Sequence, residues 1–210
     1  MKLSGINQLW VADITYIRLK AEFVYLAVIL DGFSRKVVGW ALDRTLAVRL
    51  TIGALEQAIE RRQPAPGLVH HSDRGFQYAH AEYIAILEKH YMVPSMSRPA
   101  NPYDNASCES FMKTLKREEI YANKYDDLEN LRANIEEFIE QYYNRLRLHS
   151  ALGYRSPEEF EQQIEASASA ESRSATMVFF ENKENSRKIS KGLLGKGTQM
   201  PSPSPDPFSC

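Results

Sequence analysis

The sequence predicts an α/β layer fold in which a mixed five-stranded sheet carries helices on both faces. Three consecutive runs, Leu9 to Ile17, Phe23 to Leu30 and Lys36 to Leu42, are rich in β-branched and aromatic residues, and the turn Asp31-Gly32-Phe33-Ser34-Arg35 precedes the third. From Val48 onward the apolar period becomes that of a helix, and helices then alternate with short strands. Antiparallel strands followed by alternating strands and helices pack as a mixed sheet with helical layers.

Each element follows from a local signal. Val48, Ile52, Leu55 and Ile59 stand at helical spacing, the segment ends on Arg61-Arg62, and Pro64 and Pro66 stop it. Gly67 to Ser72 reads as a short strand. His80 to Tyr91 reads as a helix burying Ile84, Leu87 and Tyr91, and Val93 to Ser95 as a further strand. After a loop containing Pro99 and Pro102, Asn105 to Glu119 has helical character. A strong helix follows with Leu128, Leu131, Ile135, Phe138 and Tyr142 on one face. The order is βββαβαβαα. Trp10, Tyr16 and Trp40 are expected in or near the core.

The chain has 210 residues and 43% apolar content, enough for one sizeable core. A catalytic-type domain with a C-terminal helical extension is expected over residues 1–163, with a low-complexity, mostly disordered tail over 164–210, where Ala-Ser repeats and Pro201-Ser202-Pro203-Ser204-Pro205 oppose regular structure. The longest apolar run, Phe23 to Leu30, is far short of the ~20 residues a spanning helix needs, so no membrane partner is expected. The first residues lack the apolar region of a secretory signal, and Cys108 and Cys210 suggest no disulfide framework. A cytoplasmic location is expected. A net charge of −1 gives no bulk electrostatic reason to bind nucleic acid, so any DNA contact must come from a local patch.

Three acids are the candidates to carry the chemistry. Asp13 interrupts an apolar strand, where an isolated carboxylate is costly to bury, and reads either as an edge-strand residue facing solvent or an Arg, or as a metal ligand. Asp73 directly follows a strand in His71-Ser72-Asp73-Arg74-Gly75; functional groups favour such strand ends, but Asp before Arg-Gly is also an ordinary turn residue. Glu109 alone is an ordinary helix glutamate. Converging, the three supply hard oxygen ligands of the kind Mg²⁺ prefers, and two such ions about 3.5–4 Å apart activate a nucleophilic oxygen and stabilise a leaving one.

The segments Trp10-Val11-Ala12-Asp13-Ile14-Thr15-Tyr16, His71-Ser72-Asp73-Arg74-Gly75 and Asn101-Pro102-Tyr103-Asp104-Asn105-Ala106 leading to Glu109 resemble the transposases of bacterial insertion sequences of the insertion sequence three type, within the retroviral integrase superfamily. A fourth block, Tyr143-Asn144-Arg145-Leu146-Arg147-Leu148-His149-Ser150-Ala151-Leu152-Gly153-Tyr154 with Ser156-Pro157 and Phe160, is similar to the family's conserved end. The 35 residues between Asp73 and Glu109 match the spacing of that family's acidic triad. Four ordered blocks are far more specific than one short motif.

The resemblance implies a ribonuclease H-like fold with Asp13 on the first strand, Asp73 after the fourth and Glu109 on the following helix. It implies DNA cleavage by water and strand transfer by a DNA 3′ hydroxyl, dependent on two Mg²⁺ or Mn²⁺ ions. Its implied partners are DNA, as element ends and target, further copies of the chain on that DNA, and either a separate DNA-binding subunit or an N-terminal helix-turn-helix. Twelve residues precede Asp13, too few for that module, so a truncated product, an alternative start or an isolated core is expected, with little preference for element ends. The competing expectation is a catalytically silent truncated transposase acting as a DNA-binding or dimerising inhibitor. A cellular ribonuclease H-like nuclease is disfavoured by the fourth block.

The remaining conspicuous residues have two readings each. Lys113, Lys116 and Arg117 are a solvated helix surface or, beside the triad, phosphate contacts; Lys113 and Lys116 fall on the Glu109 face. Arg145, Arg147 and His149 are a second phosphate-contacting patch or the decoration of a capping loop. His70 and His71 point to opposite faces of a strand with no accompanying Cys/His set, which disfavours zinc. Cys108 reads as a packing residue.

Overall fold

The computed structural model describes residues 3–20, 22–96 and 106–169. The chain divides by its contacts after Ile164, and the account below concerns Met1–Ile164. Its strands are β1 (Leu9–Arg18), β2 (Phe23–Asp31), β3 (Val37–Asp43), β4 (Val69–Ser72) and β5 (Val93–Met96). Its helices are α1 (Val48–Arg62), α2 (Ala81–Lys89), α3 (Ala106–Leu115) and α4 (Leu128–Glu137), and a last helix, α5, starts at residue 157. The Asn101–Asn105 block and residues 170–210, with the Met177–Phe180 cluster and the Pro-Ser run, lie outside the described residues.

One sheet has the order β3-β2-β1-β4-β5. The β1–β2 and β2–β3 pairs are antiparallel, whereas β1–β4 and β4–β5 are parallel, as expected when short turns give way to helical crossovers. Alternation along β1 divides the core. Val11 and Ile17 face the side covered by α3 and α4, with Phe111, Leu131 and Ile135, while Trp10 and Ala12 face α1 and α2, with Leu55, Tyr83 and Leu87.

Close packing of α1 on β3 depends on Gly39. A Cβ there would stand 2.2 Å from the Ala54 carbonyl oxygen and 2.8 Å from Ala58 Cβ. Backbone is the obstacle, so no rotamer change relieves the clash. Gly39→Ala is therefore expected to destabilise by about 3 kcal/mol, the upper end of ordinary overpacking costs. The urea midpoint measures this, and an unchanged midpoint would mean that α1 slides away freely.

Three features depart from the sequence-based expectations. Tyr91 is not in a helix or the core: α2 stops at Lys89, and Tyr91 takes a left-handed backbone (φ 53°) that turns the chain towards β5, leaving the ring exposed. Tyr16 is 61% exposed, against the expected near-core position, and stacks edge-on against Phe23. Tyr142 is half-exposed, and Tyr143 takes the core position instead. The cause is a wider π-turn over Phe138–Tyr143, in which Asn144 N–H bonds to Ile139 O; the extra residue rotates the face that follows. A similar π-turn, Lys116–Ile120, continues α3.

The start of helix α5 carries a clear capping signal. Ser156 N–H donates to Glu159 Oε2 (3.0 Å), and Glu159 N–H donates to Ser156 Oγ (3.2 Å), with Pro157 at the first helical position. That is a reciprocal capping box.

Candidate active site

The site begins with the parallel register of β1 and β4, in which Val11 lies opposite His71. Asp13 and Asp73 each stand two residues beyond these partners, so the register carries them towards the same level, Asp13 within β1 and Asp73 just past the end of β4. Asp13 is half-buried on β1, and its Oδ1 accepts the Ile14 N–H at 2.8 Å. Asp73 is exposed just past the end of β4, and its Oδ1 accepts the Gly75 N–H at 2.8 Å, the side-chain turn that Asp commonly makes.

Glu109 lies exposed in the first turn of α3. Its neighbour Cys108 is fully buried, and the thiol donates to Val11 O at 3.3 Å, so the start of α3 is fastened to β1 two residues before Asp13. The thiol is a packing group, as expected; burial, with the Asp13 charge second, holds it protonated well above the ordinary thiol range. Among the described residues no three His, Cys, Asp or Glu side chains are gathered to hold one metal ion. The fold thus levels the two aspartates and brings Glu109 on a helix anchored to β1, without a ready-made three-acid cage.

Tyr78, past the turn that follows β4, is a further buried tyrosine. Its side chain is 2% exposed, and its hydroxyl has no hydrogen-bond partner among the described residues. Burial first, then electrostatic coupling to Tyr83, Asp13, Cys108 and Asp73, raises its pKa well above the ordinary phenol. In sequence it looks like any other core tyrosine.

The basic candidates fall into different surroundings. Lys113 is exposed, whereas Lys116 Nζ lies 5.2 Å from the centre of the Tyr16 ring, a cation–π contact. Arg117 pairs with Glu118. Arg145 bonds Gln141 (3.1 Å) and Glu158 (3.1 Å). Arg147 forks onto Glu118 at 3.0 and 3.3 Å. Burial pushes the Glu118 carboxyl up, but hydrogen bonds from Arg147 and Arg117 outweigh it and bring it down to about 2. Asn144, in the same block, pairs its amide with the backbone of Val37, donating to the carbonyl (3.0 Å) and accepting from the N–H (2.9 Å). It therefore completes the edge of β3.

Two histidines are buried neutral. His70 Nε2 lies 2.9 Å from Tyr83 Oη, while His71 Nδ1 lies 3.0 Å from Ser95 Oγ, the opposite orientations expected of neighbours on a strand. Burial, then the His71 charge, brings His70 down to about 4. His149 packs edge-on against Tyr143 at 5.0 Å; burial, then the Arg147 and Arg35 charges, brings it to about 4, with Glu118 opposing. The unfolded chain protonates first as pH falls, so stability is expected to be full above about 6.5, to fall between 6.5 and 4, and to lose nothing more from these groups below that. The loss is at most roughly 3 kcal/mol per histidine. Thermal melts across this window measure it, and His149→Gln should flatten the slope; an unchanged slope would show that His149 protonates freely.

Comparison with known proteins decides the family. Two Integrase core domain models match the chain, over residues 4–102 and 91–157. The chain belongs to the integrase core domain family. This integrase core is 43% identical over 161 residues to the transposase for insertion sequence element IS904 of Lactococcus lactis subsp. lactis, covering 77% of this chain and 64% of that protein. It is 43% identical over 160 residues to transposase InsF for insertion sequence IS3fB of Escherichia coli, covering 76% and 56%. The integrase core therefore spans between 56% and 64% of the length of these relatives. Among solved structures, the catalytic core domain of HTLV-2 integrase in complex with magnesium matches with a TM-score of 0.57 at 17% identity, covering 76% of this chain and 99% of that one. That likeness shows the ribonuclease H-like fold expected from the sequence. Among the described residues no helix is long and apolar enough to cross a membrane.

Proposed function

We propose that this integrase core is the catalytic part of a bacterial DNA transposase, cleaving phosphodiesters and transferring strands at the ends of a mobile element. The observation that carries the proposal is the β1–β4 register, which carries Asp13, within β1, towards the level of Asp73, just past the end of β4, beside the anchored start of α3. Oxygen-only side chains suit Mg²⁺ or Mn²⁺, and Asp13, Asp73 and Glu109 would hold a pair of them. Such ions, when bound, sharpen a nucleophilic oxygen and neutralise charge on the scissile phosphate.

The chain's own residues do the rest. Asp13, rooted mid-strand, fixes the position of the centre, while Asp73 and Glu109 close on it from a turn and a helix face exposed to substrate. Lys113 and Lys116 lie one and two turns beyond Glu109 and would receive the phosphates of the bound strand. Arg117, Arg145 and Arg147 would extend that path, each from an existing ion pair with Glu118 or Glu158. Base readout of element ends would come from a separate DNA-binding subunit or an N-terminal helix-turn-helix, and copies of the core would assemble on DNA in the cytoplasm, at the nucleoid.

Conversion of supercoiled plasmid to nicked circles tests this reading. It is expected with Mg²⁺ or Mn²⁺ and abolished by chelation. DNA binding without nicking under any divalent ion would favour the inhibitor instead.

A further inference from the structure

Exposed rings and unpaired cations share one surface at the turn end of the β1–β2 hairpin. Strand β4 pairs only with Leu9, Trp10 and Val11 of β1, so among the described residues the rest of β1 has no strand beside it on that edge. Tyr16 and Arg18 stand on one face of this stretch, and Phe23 of β2 lies opposite Arg18. Tyr16 is 61% exposed and Phe23 48%. Their rings meet edge-on at 5.8 Å, and the Arg18 guanidinium lies 5.7 Å from the Phe23 ring centre.

The surface continues onto the segment after α3. Lys116 Nζ lies over the Tyr16 ring at 5.2 Å, and Lys116 O accepts the Tyr121 N–H at 2.9 Å, so one π-turn carries both the lysine and a third ring, 78% exposed. A groove of about 580 Å³ lies between the hairpin turn and this segment, with Arg18, Lys20, Tyr121, Asn123 and Lys124 in its walls. The carboxylates of these segments are engaged: Asp126 with Lys20 (3.2 Å), Glu22 with Arg44 (3.0 Å) and Glu119 with the Tyr125 hydroxyl (2.8 Å). Arg18, Lys116 and Lys124 have no carboxylate partner among the described residues.

We infer that this surface holds an unpaired stretch of DNA, with bases stacked on Tyr16, Phe23 and Tyr121 and phosphates on Arg18 and Lys124. Open rings interleaved with free cations suit a strand that offers both base faces and phosphates. A duplex hides its base faces in its own stack, so the rings select the unpaired strand. Cross-strand support of the hairpin would account for Tyr16 and Phe23. It accounts neither for the third ring, on another element, nor for the unpaired cations. That the strand is DNA rests on the reading of the chain as a transposase core, and Lys116 joins this surface to the strand path proposed beyond Glu109. Holding the strand requires no metal ion.

Anisotropy of a fluorescein-labelled oligothymidylate with EDTA present tests this on the whole chain, against a duplex of the same length. Tyr16→Leu and Phe23→Leu keep an apolar side chain and remove the ring. Each is expected to weaken binding of the single strand about tenfold and of the duplex less than about twofold. Tyr121→Ala should do the same, and so exposed a ring keeps the test open if the hairpin variants fold poorly. Arg18→Gln with Lys124→Gln should lower the salt slope for the single strand by about 1.4, or ~0.7 for each lost phosphate contact. Single-strand affinities within about twofold of wild type in the ring variants, or equal losses on single strand and duplex, would overturn the inference. If the chain nicks no plasmid under any divalent ion while the ring variants still separate single strand from duplex, the proposed catalytic function fails and this surface stands. If nicking holds and the rings are neutral, only this inference fails.

Discussion

Asp13→Asn, Asp73→Asn and Glu109→Gln are each expected to lower metal-dependent nicking of DNA by about a thousandfold or more, equivalent to roughly 4 kcal/mol of barrier. Each change keeps the shape of the side chain and removes one anionic oxygen ligand. The fold should survive. Asp73 and Glu109 are exposed and Asp13 is only partly buried, so the melting temperature without metal should hold or rise as like charges are diluted. Loss of cleavage with an unchanged melt is therefore the signature of the site. Any of the three variants nicking within tenfold of wild type would remove that residue from it. Glu109 is the sharpest case, because the structure brings the aspartates level and leaves the glutamate to come from a neighbouring helix.

Glu161→Ala is expected to cost about 3–5 kcal/mol of stability, because it strands buried cations. Glu161 is 4% exposed. Its Oε1 accepts from Ser34 Oγ (2.7 Å) and Arg62 Nη2 (2.9 Å), and its Oε2 from Arg62 Nη1 (2.8 Å), with Lys36 Nζ at 3.3 Å. Arg62 ends α1, Ser34 and Lys36 lie in the β2–β3 turn, and Glu161 comes from α5, so one carboxylate joins three elements. A urea midpoint measures the loss. A cost below about 1 kcal/mol would place the cluster with exposed ion pairs. In the Glu161→Ala, Arg62→Ala double variant the loss should be smaller than the two single losses together, since the second change removes the charge that the first left unpaired.

Acid should weaken the same junction. Burial pushes the Glu161 carboxyl up, but the hydrogen bonds and charge of Arg62, then Ser34 and Lys36, outweigh it and leave it below its ordinary 4.5. Its contribution is thus present above about 4.5 and lost as pH falls through the depressed value. Asp31 has the opposite sign. Burial raises it despite N–H donors from Ser34, Asn7 and Phe33, so its protonation on acidification relieves a cost.

The sequence by itself determined the elements and their order, because strand and helix periods are local properties. The runs around Asp13 and Val28 alternate or stay apolar as sheet strands must, and Leu128, Leu131 and Ile135 repeat as one helix face must. It also singled out Asp13, a carboxylate inside an apolar strand, whereas Asp73 and Glu109 stood out only through the resemblance of their segments to insertion-sequence transposases. Tertiary structure alone decided three things. The level of Asp13 against Asp73 depends on register between strands 60 residues apart, which no local pattern encodes. The exchange of Tyr142 for Tyr143 in the core depends on a π-turn that fits α4 to its neighbours, against a sequence that reads as a continuous helix. The unpaired hydroxyl of Tyr78 is a matter of which atoms surround it. Hydrogen-bond satisfaction is set by neighbours distant in the chain, so a tyrosine with a paired hydroxyl and one without look the same as a letter.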